Sequence, residues 1–153
     1  MRIAMVASEG APFIKTGGLG DVMQALPEAL ANVPHNEVCV FLPCYQRVKE
    51  NYGDQLELVS EFEVNLGWRR QYVGLLKLRS RRRKLQFYFI DNEFYFGRDG
   101  VYGFGDDGER YAYFARACLD TLAAVGYVPD VIQCNDWQTA LVPTFLNAMY
   151  RPA

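Results

Sequence analysis

Two apolar runs on either side of a helix-periodic segment constrain the fold of this chain more than any other feature. Residues 2–7 and 37–43 are short and almost continuously apolar, which is typical of strands buried on both faces of a parallel sheet. From Gly18 to Val33, apolar residues recur at helical spacing, and Pro27 within this stretch predicts a bend in the helix. Strand, helix and strand in this order predict a βαβ unit with a right-handed crossover, and hence a parallel sheet.

The rest of the chain predicts further strands and helices. Residues 56–91 contain partly alternating apolar stretches between turn signals, so we expect antiparallel hairpins that are inserted in the parallel sheet or extend it. Residues 91–109 are rich in glycine and aromatic residues and predict a loop. A helix is predicted at 109–125, a buried strand at 131–134 and a last helix from about 137 to 150. We therefore expect one α/β domain over the 153 residues.

Composition and charge argue against several classes of protein. Half of the residues are apolar, 22% are charged and the formal net charge is −2, so the chain has no global attraction to nucleic acid or to anionic membranes. No apolar run approaches the roughly 18 residues of a membrane-spanning helix, and the N-terminus is too short and polar for a signal peptide. We expect a cytoplasmic protein with its four cysteines as free thiols, and no metal site, since His35 is the only histidine.

The strongest charge run is RSRRRK at residues 79–84. Such a run can contact nucleic acid, but it is also typical of a solvated hairpin tip. We interpret it as a hairpin tip and expect no nucleic-acid partner and no membrane partner.

The stretch IKTGGLGDV, residues 14–22, lies where the first strand is followed by the first helix. Glycines at 17, 18 and 20 let the backbone adopt positive φ and leave its N–H groups uncovered. The helix adds its positive end and Lys15 adds a cation, so residues 15–21, the first corner, favour an anion such as a phosphate. The residue order matches neither a P-loop nor a dinucleotide-binding fingerprint. A glycine-rich turn with a solvated lysine is the alternative.

A second strand-to-helix corner, residues 135–138, follows the strand at 131–134 and reads Asn-Asp-Trp-Gln. In an open parallel sheet, both corners lie at the carboxyl ends of strands, where ligands bind. We therefore predict that they form one site. The alternative is that Asn135 and Asp136 only cap the following helix, with Trp137 in the core.

Longer motifs surround both corners. They are VASEGAPFIKTGGLGDVMQALPEAL at 6–30, LPCY at 42–45, FYFIDNEFYFGRDGVYG at 87–103, DDGERYAYFARACL at 106–119 and PDVIQCNDWQTALVP at 129–143. Together they resemble the N-terminal part of bacterial glycogen synthases and plant starch synthases, in the same order and over nearly the whole chain.

The resemblance implies a fold and an activity. Family members have two Rossmann-like domains in a GT-B fold, need no metal or other cofactor, and transfer glucose from ADP-glucose, sometimes UDP-glucose, to the non-reducing end of an α-1,4-glucan with retention. The chain is then an incomplete N-terminal, acceptor-side domain: a Rossmann-like parallel sheet flanked by helices, with an inserted β-hairpin region. The C-terminal nucleotide-binding domain would be its missing partner, and a plant source would imply a plastid protein.

A donor held by only one wall of a cleft is not aligned for transfer, so the chain alone is expected to be inactive or nearly so. The alternative is a stand-alone, non-catalytic module that binds glucan or nucleotide sugar.

The resemblance also implies roles for site residues. Lys15 would contact the diphosphate of the donor, Gly17 and Gly18 would offer it backbone N–H groups, and Asp21 would orient the corner or touch a sugar. Asn135 and Asp136 would face the transferred glucose. The family often has histidine where this chain has Asn135, although plant members can carry asparagine, and a main-chain carbonyl is present with either side chain.

The acceptor side is implied in the same way. Asp106 matches a family aspartate near the acceptor, with Asp107 as the alternative, and either could be an ordinary helix cap. Tyr95 and Tyr102, together with Phe96, could form a stacking surface for glucan rings. The alternative is that these aromatic residues fold a long loop onto the sheet.

Overall fold

A six-stranded mixed sheet forms the centre of the structure, a computed structural model that describes residues 1–80 and 83–150. The strands are β1 (Arg2–Val6), β2 (Glu37–Pro43), β3 (Leu56–Leu66), β4 (Arg69–Leu78), β5 (Leu85–Asp91) and β6 (Val131–Cys134), in the order β3-β4-β5-β2-β1-β6. β1 runs parallel to β2 and β6, and β2 runs parallel to β5. The predicted βαβ unit and parallel sheet are confirmed.

The predicted hairpins extend the parallel sheet at one side. β3 pairs antiparallel with β4, and β4 pairs antiparallel with β5. The turn between β3 and β4 contains Gly67, whose φ of 61° is the left-handed conformation that glycine adopts readily. Two residues of the basic run, Arg81 and Arg82, lie outside the described residues.

Five α-helices and three further helical turns lie within the described residues. They are α1 (Gly18–Asn32), α2 (Gln46–Tyr52), α3 (Glu93–Phe96), α4 (Asp107–Ala124) and α5 (Leu141–Phe145), with 3₁₀ turns at Gly53–Gln55 and Trp137–Thr139 and a π-helical turn at Leu146–Tyr150. The prediction of one continuous last helix is wrong. α5 starts anew at Leu141, so that Pro143 lies in its first turn. Proline has no N–H to donate, and in the first turn of a helix that donor is not needed.

The core lies between the sheet and its flanking helices. Every residue of β2 from Val38 to Pro43 is buried, as its continuous apolar run predicts. α1 contacts β2 and β5, while α4 contacts β3 and β5. The predicted apolar face of α4 is buried and comprises Tyr113, Phe114, Ala117, Cys118 and Leu122.

Candidate functional site

The two corners lie beside each other because β1 and β6 are neighbouring parallel strands, with Val6 opposite Cys134. Asn135 ties the second corner to the end of β1: its backbone N–H donates to the Val6 carbonyl at 3.1 Å, and its side-chain Nδ2 donates to the same oxygen at 3.0 Å. On the first corner, the Ala11 N–H donates to the Gly20 carbonyl at 3.0 Å. The structure therefore brings together the residues that the sequence predicted to share one edge of the sheet.

Lys15 in the first corner is paired rather than solvated. Its Nζ donates to both carboxylate oxygens of Asp21, at 2.7 and 2.8 Å, and both side chains are largely exposed. Exposed ion pairs of this kind are worth at most about 1 kcal/mol. An incoming anion can therefore replace Asp21 as the partner of Lys15 at little cost.

The glycines of the first corner do not use the positive φ that they could adopt. None has a positive φ: Gly17 is extended, with φ −152°, and Gly18 and Gly20 lie within α1. Gly20 is required for another reason, because a Cβ there would lie 2.8 Å from Cγ of Lys15. Gly17 and Gly18 are exposed. Gly17 stands at the N-cap position of α1 and has no side chain that could bond to the first N–H groups of the helix. The start of α1 is thus open to a ligand, as an anion site requires.

Two polar residues that the sequence analysis missed lie between β1 and the first corner. Glu9 is only 3% exposed, and its Oε2 accepts hydrogen bonds from the backbone N–H of Thr16 and, at 2.8 Å, from the Thr16 hydroxyl. Ser8 is fully buried, and its hydroxyl shares a hydrogen bond of 2.7 Å with the Tyr102 hydroxyl. Their position directly after a parallel strand was the available signal, because ligands bind at such strand ends.

The second corner contains a strained aspartate and an exposed tryptophan. Asp136 has φ 65° and ψ 178°, and its carboxylate accepts a hydrogen bond from the Trp137 N–H at 2.7 Å. The Trp137 ring is 52% exposed and meets the Tyr111 ring edge-on at 5.3 Å. Asp136 therefore caps the 3₁₀ turn, as the capping alternative predicted. That alternative also placed Trp137 in the core, and this part of it is wrong.

Asp106 is held by an arginine rather than by a helix terminus. Its carboxylate accepts from Nη1 and Nη2 of Arg98 at 2.6 and 2.7 Å, and these bonds lower the pKa of Asp106. It stands at the N-cap position of α4 but makes no side-chain capping bond. Asp107 accepts instead from the backbone N–H groups of Gly103 at 2.8 Å and Phe104 at 3.3 Å. Asp106 and Asp107 thus both fix the loop that precedes α4.

The two tyrosines expected on the acceptor side differ in exposure. Tyr95 is fully buried and donates its hydroxyl to Glu109 at 2.5 Å, and burial raises its pKa. This burial contradicts the prediction that Tyr95 stacks on glucan rings, because no face of its ring is available. Tyr102 is half-buried, with its hydroxyl on Ser8. As in the alternative, Tyr95 has a folding role: its ring packs against that of Tyr113 in α4, with the centroids 4.7 Å apart.

A small cavity of about 100 Å³ lies between the first corner and the loop before α4. Three basic residues contribute to its wall, namely Lys15, Arg47 and Arg98. Arg47 and Asp99 form a loose, exposed pair at 3.4 Å, so this charge is available to a ligand. Positively charged side chains therefore line the cavity from Lys15 in the first corner to Arg98, which binds Asp106.

The described residues offer neither a metal cluster nor a membrane span. Over residues 1–80 and 83–150, there is no group of three or more His, Cys, Asp or Glu side chains that could hold a metal ion. Over the same residues, every helix is too short or too polar to cross a membrane.

A family model described as the starch synthase catalytic domain matches residues 2–153. The chain belongs to this family. Glycogen synthases of Streptococcus pneumoniae strains Hungary19A-6 and CGSP14 are 48% identical to it over 151 residues, which is 99% of this chain and 31% of each relative. The chain thus spans about a third of the length of these starch synthase family members.

A solved structure of the same family agrees with the fold. The catalytic domain of Starch Synthase IV from Arabidopsis thaliana, bound to ADP and acarbose, matches with a TM-score of 0.81 and 31% identity, over 97% of this chain and 30% of that one. The resemblance stated from the sequence is confirmed, and the six-stranded sheet corresponds to the N-terminal part of a GT-B starch synthase.

Proposed function

We propose that this chain forms one wall of the transfer site of a glycogen synthase. The reaction is transfer of glucose from ADP-glucose, or UDP-glucose, to the non-reducing end of an α-1,4-glucan, with retention at the anomeric carbon. The observation that carries the proposal is that Asn135 ties the second corner to the Val6 carbonyl at the end of β1, the strand that leads to the first corner. The Streptococcus relatives, named glycogen synthases, support the reaction class.

In this proposal, the first corner receives the donor. Lys15 leaves Asp21 and binds the diphosphate, while the N–H groups of Gly17 and Gly18 point to the same anion from the start of α1. Fixed N–H groups and a cation stabilise the negative charge that develops on the leaving nucleotide. Asp21 then orients the corner or touches a sugar.

The second corner and the loop before α4 receive the sugars. Asn135, through its main-chain carbonyl, and Asp136 face the transferred glucose. Asp106 lies toward the acceptor, with Tyr102 as the aromatic surface beside it. Tyr95 is left out of this arrangement because it is buried.

The partner of this wall is the remaining two thirds of the length of the Streptococcus relatives. A donor bound to one wall alone is neither desolvated nor aligned, so we propose that the isolated chain transfers no glucose. We also propose that the enzyme works in the cytoplasm.

A chimera tests the proposal. This chain replaces the matching 151 residues of the Streptococcus pneumoniae glycogen synthase, and glucose incorporation into α-1,4-glucan is measured with ADP-glucose and with UDP-glucose. We expect the chimera to be active and the isolated chain to be inactive. A chimera that folds but transfers no glucose from either donor contradicts the proposal.

Lys15→Ala in this chimera tests the donor corner. Removing one electrostatic contact to the leaving group is expected to lower kcat roughly 100-fold or more. Lys84→Ala is the matched control, since Lys84 is exposed and precedes β5 at the opposite, amino-terminal edge of the parallel strands. Equal small losses in the two variants remove Lys15 from the site.

A further inference from the structure

A buried carboxylate at this edge of the sheet has no part in the reaction proposed above. Glu9 is 97% buried in a chain whose charged residues otherwise lie mostly at the surface. No cation forms an ion pair with it among residues 1–80 and 83–150. A buried carboxylate is costly unless hydrogen bonds or fixed dipoles compensate it, so its contacts indicate what it does.

Within the described part of the chain, all the hydrogen bonds of the Glu9 side chain go to Thr16. The Thr16 backbone N–H and the Thr16 hydroxyl both donate to the same carboxylate oxygen, Oε2. The other oxygen, Oε1, lies 3.8 Å from the point where a Cβ on Gly17 would be. Glu9 therefore holds the middle residue of the Lys15-Thr16-Gly17 segment and lies beside the positive end of α1.

The loop that carries Tyr102 is joined to the same place. Ser8, the residue before Glu9, shares its 2.7 Å hydrogen bond with the Tyr102 hydroxyl. Ser8 also accepts the Tyr45 hydroxyl on its carbonyl at 2.9 Å. Ser8 and Glu9 are therefore fixed from the loop side and from the core, which makes Glu9 a rigid support for the first corner.

We infer that Glu9 is a positioning residue: its Oε2 holds Thr16, and through it Lys15 and Gly17, in the shape that receives the donor diphosphate. This inference rests on the proposed function. Glu9 acts as a hydrogen-bond acceptor and not through its charge, because a negative charge at this point opposes an incoming diphosphate. The charge is tolerated because two donors and the end of α1 compensate it.

The geometry allows the acceptor and the charge to be separated. Both bonds end on one oxygen, so the amide oxygen of Glu9→Gln can accept both while the charge is lost. Glu9→Met fills a similar volume and accepts neither. In the active chimera, we expect Glu9→Gln to keep kcat/KM within about threefold of the parent without a rise in donor KM, and Glu9→Met to lower kcat/KM roughly 100-fold, mainly through donor KM.

Thr16 supplies the reciprocal test. Thr16→Val loses only the hydroxyl bond and is expected to fall between Glu9→Gln and Glu9→Met, whereas Thr16→Ser should match the parent. Glu50→Met, the same substitution at an exposed glutamate of α2, is the control for the chemical change and should leave activity unchanged.

An independent readout separates this inference from the proposed function. Amide hydrogen exchange of Thr16 is measured in the chain itself, and Glu9→Met is expected to speed it roughly tenfold or more while Glu9→Gln preserves its protection. Unchanged exchange in Glu9→Met overturns the inference even if the chimera is active. Activity of Glu9→Gln as low as that of Glu9→Met overturns it too, since the charge would then be what matters. An inactive parent chimera refutes the proposed function, and the exchange rates still decide the role of Glu9.

Discussion

At the scale of single residues, Asp136 carries backbone strain inside the candidate site. Its φ of 65° and ψ of 178° lie in a region that is essentially confined to glycine, and such a conformation costs about 1–3 kcal/mol. Asp136→Ala and Asp136→Gly both remove the carboxylate, so their difference reports the backbone alone. We expect the glycine variant to be more stable by about 1 kcal/mol, after glycine's own entropic cost, in urea unfolding.

The same pair of variants connects strain with function. Both are expected to lose transfer activity in the chimera, although the glycine variant is the more stable of the two. His35 provides the comparison, because it also has a positive φ, 66°, but lies between α1 and β2, at the amino-terminal edge of the sheet. His35→Gly should keep full activity. Equal stability of the two Asp136 variants would falsify the assignment of strain to this residue.

Single residues also mark the limit of what the sequence could predict about the site. That the corners of Lys15 and Asn135 share one edge of the sheet followed from the rule for strand ends, since it depends only on topology. The burial of Glu9 could not be predicted in this way, because it depends on where Thr16 folds back. Tyr95 was wrongly expected at the surface for a similar reason: an aromatic-rich loop does not indicate which of its rings turn inward.

At the scale of elements, Arg110 fastens the loop before α4 to the helix. Its guanidinium is fully buried, donating from Nε to the Tyr95 carbonyl at 2.8 Å and from Nη1 to the Val101 carbonyl at 3.2 Å and to Asp107 at 2.5 Å. Lysine has one charged nitrogen and cannot reach these acceptors together. We expect Arg110→Lys to lower the free energy of unfolding by about 3 kcal/mol, as measured by urea denaturation.

Limited proteolysis shows whether that loss is local to the loop. Arg110→Lys should be cleaved faster within residues 97–105 than the parent chain. Arg116→Lys is the control on the same helix, because Arg116 is only partly buried and its bond to Asp120 is long, at 3.2 Å. Arg116→Lys should lower the free energy of unfolding by less than about 1 kcal/mol. If the two variants are equally stable, Arg110 does not hold the loop.

Most elements could be predicted, and the exceptions have local causes. β2 was predictable because a strand buried on both faces leaves a continuous apolar run. The short helix α3 was missed in a predicted loop because it depends on one capping bond, from the Tyr95 N–H to the Asn92 side chain at 3.0 Å. The last predicted helix is interrupted because apolar periodicity alone does not distinguish α-, 3₁₀- and π-helical turns.

At the scale of the whole molecule, many weak acids are buried in their neutral form. Burial is the main cause that raises the pKa of the Cys39 thiol to about 11 and that of Cys44 to about 12, and it also raises the pKa of Cys118. Burial likewise raises the pKa of several tyrosines, namely Tyr45, Tyr111, Tyr113 and Tyr127. In the unfolded chain, thiols lose their protons near pH 8.5 and tyrosines near pH 10.

The consequence is a loss of stability at alkaline pH whose sign is fixed by these shifts. Above about pH 9 the unfolded chain binds fewer protons than the folded one, so the free energy of unfolding falls as the pH rises, by about 1.4 kcal/mol per pH unit for each such group. The urea concentration at the unfolding midpoint should be constant from pH 7 to 8 and decline from pH 9 to 10.5.

Cys44→Ala lowers the free energy of unfolding at every pH because it removes core volume. Its free energy of unfolding should nevertheless fall less steeply with pH than that of the parent, because the contribution of the Cys44 thiol to the slope is gone. Cys134→Ala, at a half-buried thiol, should keep more of the parent's slope because less burial opposes its ionisation. A Cys44→Ala slope equal to that of the parent would show that the Cys44 thiol ionises as readily in the folded chain as in the unfolded one.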